Sequence, residues 1–172
     1  EAFHKAWASL EYGEPHPRPL TRADESDGEG MADRAHEALP ESTLVEWLRV
    51  ATDRRMGALL EAFRRGWSVE RVHEITHITR WFLHHFEHIA KVEKEITEYI
   101  GSIENLEAFS LRKWKRLGFS DAHIADAKAG FPKTGWKNLP AAAGESAVMA
   151  RRHQLGIHPR FRMVDSCAAE FA

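Results

Sequence analysis

A short phrase used twice constrains this chain most. Gly66-Trp67-Ser68-Val69-Glu70-Arg71-Val72 and Gly118-Phe119-Ser120-Asp121-Ala122-His123-Ile124 each follow a basic helix end with a glycine, an aromatic residue, a serine and a new short helix. Glycine supplies the left-handed residue that closes one helix, and the serine oxygen caps the next. A chain punctuated in this way folds as helical hairpins, and a duplicated hairpin builds a scaffold with no chemistry in it. The fold class is therefore all-α, an irregular multi-helix domain of helical hairpins with an extended C-terminal segment.

The residues between the phrases agree. Leu44, Trp47 and Leu48 lie on one helical stripe; Thr52 is placed to cap a second helix with Met56, Leu59, Leu60 and Phe63 inward, closed by Gly66. Thr79 starts the longest helix, with Phe82, Phe86, Ile89, Val92 or Glu93 and Ile96 on its apolar arc, running toward Ile100-Gly101. Leu106, Phe109, Leu111, Trp114 and Leu117 continue to Gly118, and Glu145 to Leu155 forms the returning helix, closed by Gly156. The turn-rich stretch between these halves, within residues 131–143, is a loop.

Composition divides the chain into four parts. Phe3, Trp7 and Leu10 mark a helix in residues 1–12, the tail of a preceding domain. Residues 13–42, with their prolines and the run Asp24-Glu25-Ser26-Asp27-Gly28-Glu29-Gly30, are expected to be a mobile linker. Residues 43–157 are the helical domain, and 158–172, with Pro159 and loose alternation, are extended. A chain of 172 residues and 43% hydrophobic content supports one sizeable core, burying on the order of two-thirds of its unfolded surface. A formal charge of −2 lacks the basic excess of a nucleic-acid binder. One cysteine, Cys167, excludes an internal disulfide, and no apolar run is long enough for a membrane span, so a cytoplasmic setting is expected.

His73-Glu74-Ile75-Thr76-His77 spells H-E-x-x-H, a zinc signature when both histidines project from one unbroken helix. The same stretch also spells helix, turn, helix, with Ser68 capping the first helix and Thr79 the second. Thr79 decides between them. A cap there ends the first helix near Thr76 or His77, so the histidine pair straddles a helix end. No metal site, cofactor site or catalytic residue is expected. The helix-turn-helix alternative needs a basic second helix, but His84, His85, Glu87, His88, Lys91, Glu93, Lys94 and Glu95 are a mixed set.

Four ordered segments carry a family likeness: Ala62-Phe63-Arg64-Arg65-Gly66-Trp67-Ser68-Val69, Ile78-Thr79-Arg80-Trp81-Phe82-Leu83, Leu111-Arg112-Lys113-Trp114-Lys115-Arg116-Leu117-Gly118-Phe119-Ser120-Asp121 and Val164-Asp165-Ser166-Cys167-Ala168-Ala169-Glu170-Phe171. In this order they resemble the oligomerisation domain of the carbamoyl-phosphate synthetase large subunit, over nearly all of residues 43–172. Lys5-Ala6 and Ser9-Leu10-Glu11 resemble the closing helix of that enzyme's first ATP-grasp half. Thr79 stands where the family usually has Asp, which preserves a capping oxygen.

The resemblance implies a non-catalytic helical spacer between two ATP-grasp halves that also joins large subunits to one another. The parent would be an ATP-dependent ligase that requires magnesium and potassium, takes ammonia from a glutamine-hydrolysing small subunit and supplies arginine and pyrimidine synthesis. Trp81 and Phe82 are expected in the core, and the outer face of the long helix, with His84, His88 and Lys91, is the candidate self-association surface.

Overall fold

The computed structural model describes residues 2–9, 16–25, 37–131 and 141–159. Among them the chain forms α1 (Ala2–Ala8), α2 (Glu41–Arg49), α3 (Arg54–Arg64), α4 (Val69–Thr76), α5 (Arg80–Glu98), α6 (Ala108–Arg116), α7 (Asp121–Lys128) and α8 (Ala141–Gln154), with short 3-10 turns at Arg22–Glu25 and Ile103–Asn105. The described residues contain no strand, only an isolated bridge between Thr21 and Ala38. The all-α class holds.

Helix α5 is the spine. At about 1.5 Å per residue its 19 residues reach roughly 28 Å, long enough to serve two cores. Its first half closes one core with Leu44, Leu48, Leu59, Phe63, Trp67, Val72 and Leu83. Its second half closes another with Val92, Ile96, Leu111, Trp114, Phe119, Ile124 and Val148.

The repeated phrase folds the same way in both places. Gly66 and Gly118 take φ of 79° and 97°, and the amides of Trp67 and Phe119 reach back to the carbonyls of Ala62 and Trp114 at 3.0 and 3.2 Å. This closure of a helix by a left-handed glycine also tucks the following aromatic ring into the core. Ser68 and Ser120 then accept hydrogen bonds from the amides of Arg71 and His123. Gly156 closes α8 by the same device, with φ of 63°.

Several details depart from expectation. Helix α3 is capped by Asp53 rather than Thr52, since the Asp53 carboxylate reaches the Arg54 amide at 2.9 Å. Thr79 holds the N-cap position of α5 but makes no side-chain cap bond. Met56 and Phe109 lie outside the core, Phe109 80% exposed in the first turn of α6. Helix α8 starts at Ala141, ahead of Glu145, which shortens the loop expected at 131–143; residues 132–140 of it lie outside the described residues.

Within the stretch expected to be linker, residues 16–25 and 37–40 pack against the helical body. His16 and Leu39 are buried, and two charged residues of α3 satisfy the backbone of this strap, residues 16–25 and 37–40. Glu61 accepts the Leu20 amide at 3.1 Å, while Arg64 donates to the Arg18 and Pro17 carbonyls at 2.9 and 3.1 Å. A count of apolar residues misses such anchoring. Residues 10–15, 26–36 and 160–172, which include Cys167 and most of the extended C-terminal segment, lie outside the described residues.

Candidate functional site

The H-E-x-x-H segment ends a helix. Helix α4 stops at Thr76, and His77 caps it in the left-handed region at φ 57°. His73 Nδ1 lies 2.7 Å from the Ile78 carbonyl, which makes that nitrogen a donor to backbone. The two imidazoles therefore leave a broken helix in different settings. Among the described residues no group of three or more His, Cys, Asp or Glu side chains is arranged to hold a metal ion.

The outer face of α5 carries the candidate surface residues. His84, His88 and Lys91 are exposed there and fall on one helical stripe with Trp81 and His85. Lys91 pairs with Glu87 at 2.8 Å, and His84 lies 3.6 Å from the same carboxylate. Hydrogen bonding to Lys91 holds the Glu87 carboxyl below its ordinary range. Trp81 and Phe82 were expected in the core; they are 62% and 54% exposed. Phe82 does share the angular position of Ile89, Glu93 and Ile96, but it stands in the first turn, ahead of the elements that cover this arc. Trp81 meets Phe82 edge to face at 4.8 Å and His85 at 4.4 Å. The result is an aromatic cluster in contact with water.

A second polar constellation sits inside. Glu93, on the buried side of α5, accepts from Arg64 Nε at 2.6 Å through Oε2 and from Nη2 at 2.8 Å through Oε1, and His123 Nε2 lies 3.0 Å from the same Oε1. Burial raises the Glu93 pKa, but the Arg64 charge and the hydrogen bonds from His123 and Arg64 outweigh it and hold the carboxyl well below its ordinary range. With Glu93 ionised, His123 Nε2 must carry the proton and donate it. The Arg64 fork thus ties α3, α5 and the strap carbonyls together. Sequence reasoning missed this network because its members come from distant segments. One signal was available: Glu93 falls on the apolar arc of α5 with Phe82, Ile89 and Ile96, where a charged side chain needs a partner.

The α5 face and the buried network offer no nucleophile paired with a base and no phosphate-cradling glycine loop. They are a surface and an anchor. No helix among the described residues is long and apolar enough to cross a membrane.

Comparison with known proteins gives the same direction. The family model described as carbamoyl-phosphate synthetase large chain, oligomerisation domain, matches residues 1–156. The carbamoyl phosphate synthase large chain of Synechocystis is 36% identical over 172 residues, covering 99% of this chain and 13% of that protein. The arginine-specific large chain of Eremothecium gossypii is 41% identical over 128 residues, 74% of this chain and 10% of the relative. The mitochondrial arginine-specific large chain of Schizosaccharomyces pombe is 37% identical over 135 residues, 78% of this chain and 10% of the relative. This chain thus spans a small fraction of the relatives it matches. Helix α1 and the strap fall inside the family match, with the helical body they pack on. The chain belongs to the family of the oligomerisation domain of the carbamoyl-phosphate synthetase large chain.

Proposed function

We propose that this chain is the spacer and self-association module of a larger carbamoyl-phosphate synthetase. Residues 1–12 would close a first ATP-grasp half and 158–172 would lead into a second. In this reading the whole protein is a cytoplasmic ATP-dependent ligase that uses magnesium and potassium. It makes carbamoyl phosphate from bicarbonate and from ammonia released by a glutamine-hydrolysing small subunit, for arginine and pyrimidine synthesis. The 172 residues supply geometry and contacts between large subunits, with no catalytic group, and neither nucleic acid nor membrane is a partner.

The observation that supports self-association is the exposed cluster of Trp81, Phe82 and His85 at the start of α5, of which Trp81 and His85 lie on the stripe that also carries His84, His88 and Lys91. Aromatic side chains are enriched at subunit interfaces, where a few of them dominate affinity. Lys91 is already neutralised by Glu87 on its own helix, so covering this face strands little charge. A second copy of the chain is the occupant that fits the family's name.

Sedimentation over a wide concentration range tests this reading. Self-association is expected in the unmodified chain, and Trp81→Ala with Phe82→Ala should weaken it about tenfold or more while helicity is retained. A folded chain that stays strictly monomeric at the highest concentration reached, or an association indifferent to both substitutions, overturns it.

A further inference from the structure

Three imidazoles from three separate elements meet beside the buried ion pair. His4 comes from α1, His16 from the strap and His123 from α7, with relative exposures of 7%, 2% and 0%. His16 lies flat on His123, ring centroids 4.3 Å apart and planes 7° apart. His4 meets His123 edge to face at 5.4 Å and Phe119 at 4.6 Å. Nε2 of His4 and Nδ1 of His123 have no hydrogen-bond partner among the described residues. The self-association reading uses none of these groups.

The charged neighbours come from each packed element. Arg64 of α3 and Glu93 of α5 form the ion pair, His123 Nε2 bonds Glu93, and Asp126 of α7 lies 3.3 Å from His16 Nε2. Glu61 of α3 is occupied by the Leu20 amide and by Arg65. A proton added to His4 therefore enters a dry seam in which the carboxylate that attracts it, Glu93, is already shared by Arg64 and His123. An imidazolium there meets the rings of Phe3, Phe119 and His123 but no free acceptor. Moving α1 away returns the ring to water.

We infer that the histidine seam is a proton-sensitive latch: with His4 and His123 neutral it holds α1 and the strap against α5 and α7, and acidification releases them while the helical body stays folded. Burial, reinforced by the nearby His123, lowers the His4 pKa to about 3. Burial lowers that of His123 to about 4, although Glu93 pulls it upward. Both values lie below the ordinary 6.5, so the open state binds more protons. The closed state is fully favoured above that pH and loses its advantage as pH falls toward the closed-state values. For His4 alone, a drop to about pH 5 raises the opening equilibrium roughly thirtyfold.

Hydrogen exchange of the full 172-residue chain, corrected for the chemical rate at each pH, tests the latch. Amides of α1 and the strap should lose protection by roughly thirtyfold between about pH 7.5 and about pH 5, and at both pH values they should exchange through an opening that leaves α3 and α5 better protected. His4→Phe, which fills the aromatic site without a titratable nitrogen, should flatten the response of α1. Equal protection of α1 at both pH values overturns the latch, as does protection of α1 equal to that of α3 and α5 throughout or an undiminished response in His4→Phe. Should that variant fail to fold, histidine ring NMR of the unmodified chain decides: His4 titrating near its ordinary pKa while α1 remains protected overturns the latch, and a strongly depressed titration tied to loss of α1 protection supports it.

Discussion

Arg71 and His123 hold the same place in the two copies of the repeated phrase, and their surroundings are opposite. Each donates its backbone amide to the capping serine, and each side chain rests on the aromatic ring four residues back. The Arg71 guanidinium sits 3.5 Å from the Trp67 ring centre, and the His123 ring 4.7 Å from that of Phe119. Yet Arg71 is exposed and pairs with Glu41, whereas His123 is completely buried against Glu93. The cap sets the local backbone alone. Burial is decided by what the fold lays over that position, and of the two helices that start the copies it is α7 whose His123 meets α1 and the strap.

Exchanging the two residues is the strongest way to break this comparison. His123→Arg places a permanent, larger cation where no water reaches and Arg64 already occupies Glu93, so it should cost more than about 4 kcal/mol in denaturant unfolding. Arg71→His removes a surface cation–π contact and an exposed ion pair, and should change stability by less than about 1 kcal/mol. Similar costs at the two positions would mean that the copies are equivalent after all.

Acid should separate the halves next. Burial depresses both His4 and His123 in the folded chain, so the unfolded chain binds about two more protons than the folded one near pH 5. Their contribution to stability is therefore complete above about pH 6.5 and falls as pH drops toward the folded-state values, by on the order of 2–4 kcal/mol at pH 5. Glu93 has the same sign, but its contribution fades only at lower pH, below the ordinary carboxylate value. Denaturant midpoints measured across this range should fall less in a variant carrying His4→Phe and His123→Gln, while Arg71→His should not reproduce that protection.

The local grammar was legible in the sequence because its determinants are neighbours. Gly66, Trp67, Ser68 and their counterparts at 118–120 encode closure, insertion and capping within a few residues, and Thr79 correctly marked the break after the H-E-x-x-H segment. What stayed hidden depends on distant partners. His4, His16 and His123 meet only once α1 and the strap fold back, and the strap itself is held by Glu61 and Arg64 as well as by its few apolar residues, Leu20 and Leu39. Trp81 and Phe82 failed in the other direction: helical periodicity gives the angle of a side chain but not the length of the surface that covers it.

The caps themselves should be nearly equal. Ser68→Ala and Ser120→Ala each remove one acceptor from an otherwise orphaned amide, at about 1 kcal/mol. Their costs are expected to agree within about 0.5 kcal/mol, since both bonds lie at helix starts of the same geometry. Thermal or denaturant unfolding of the paired variants checks this. A much larger cost for Ser120→Ala would show that the cap is coupled to the buried histidine it positions.

The smallest effect concerns the helix end that breaks the pattern. Helices α3, α6 and α8 close with a glycine in the left-handed region, whereas α4 closes with His77 at φ 57°. A side chain there crowds the following carbonyl, and the exposed His77 ring has no compensating burial. His77→Gly removes the crowding but adds freedom to the unfolded chain, so the gain should be modest, roughly 0.5–1 kcal/mol. Because a helix end, and not a metal, explains the residue, the substitution should leave bound zinc unchanged. A clear destabilisation in unfolding experiments would instead mean that the imidazole makes a stabilising contact, and would set the α4 terminus apart from the glycine-closed ends.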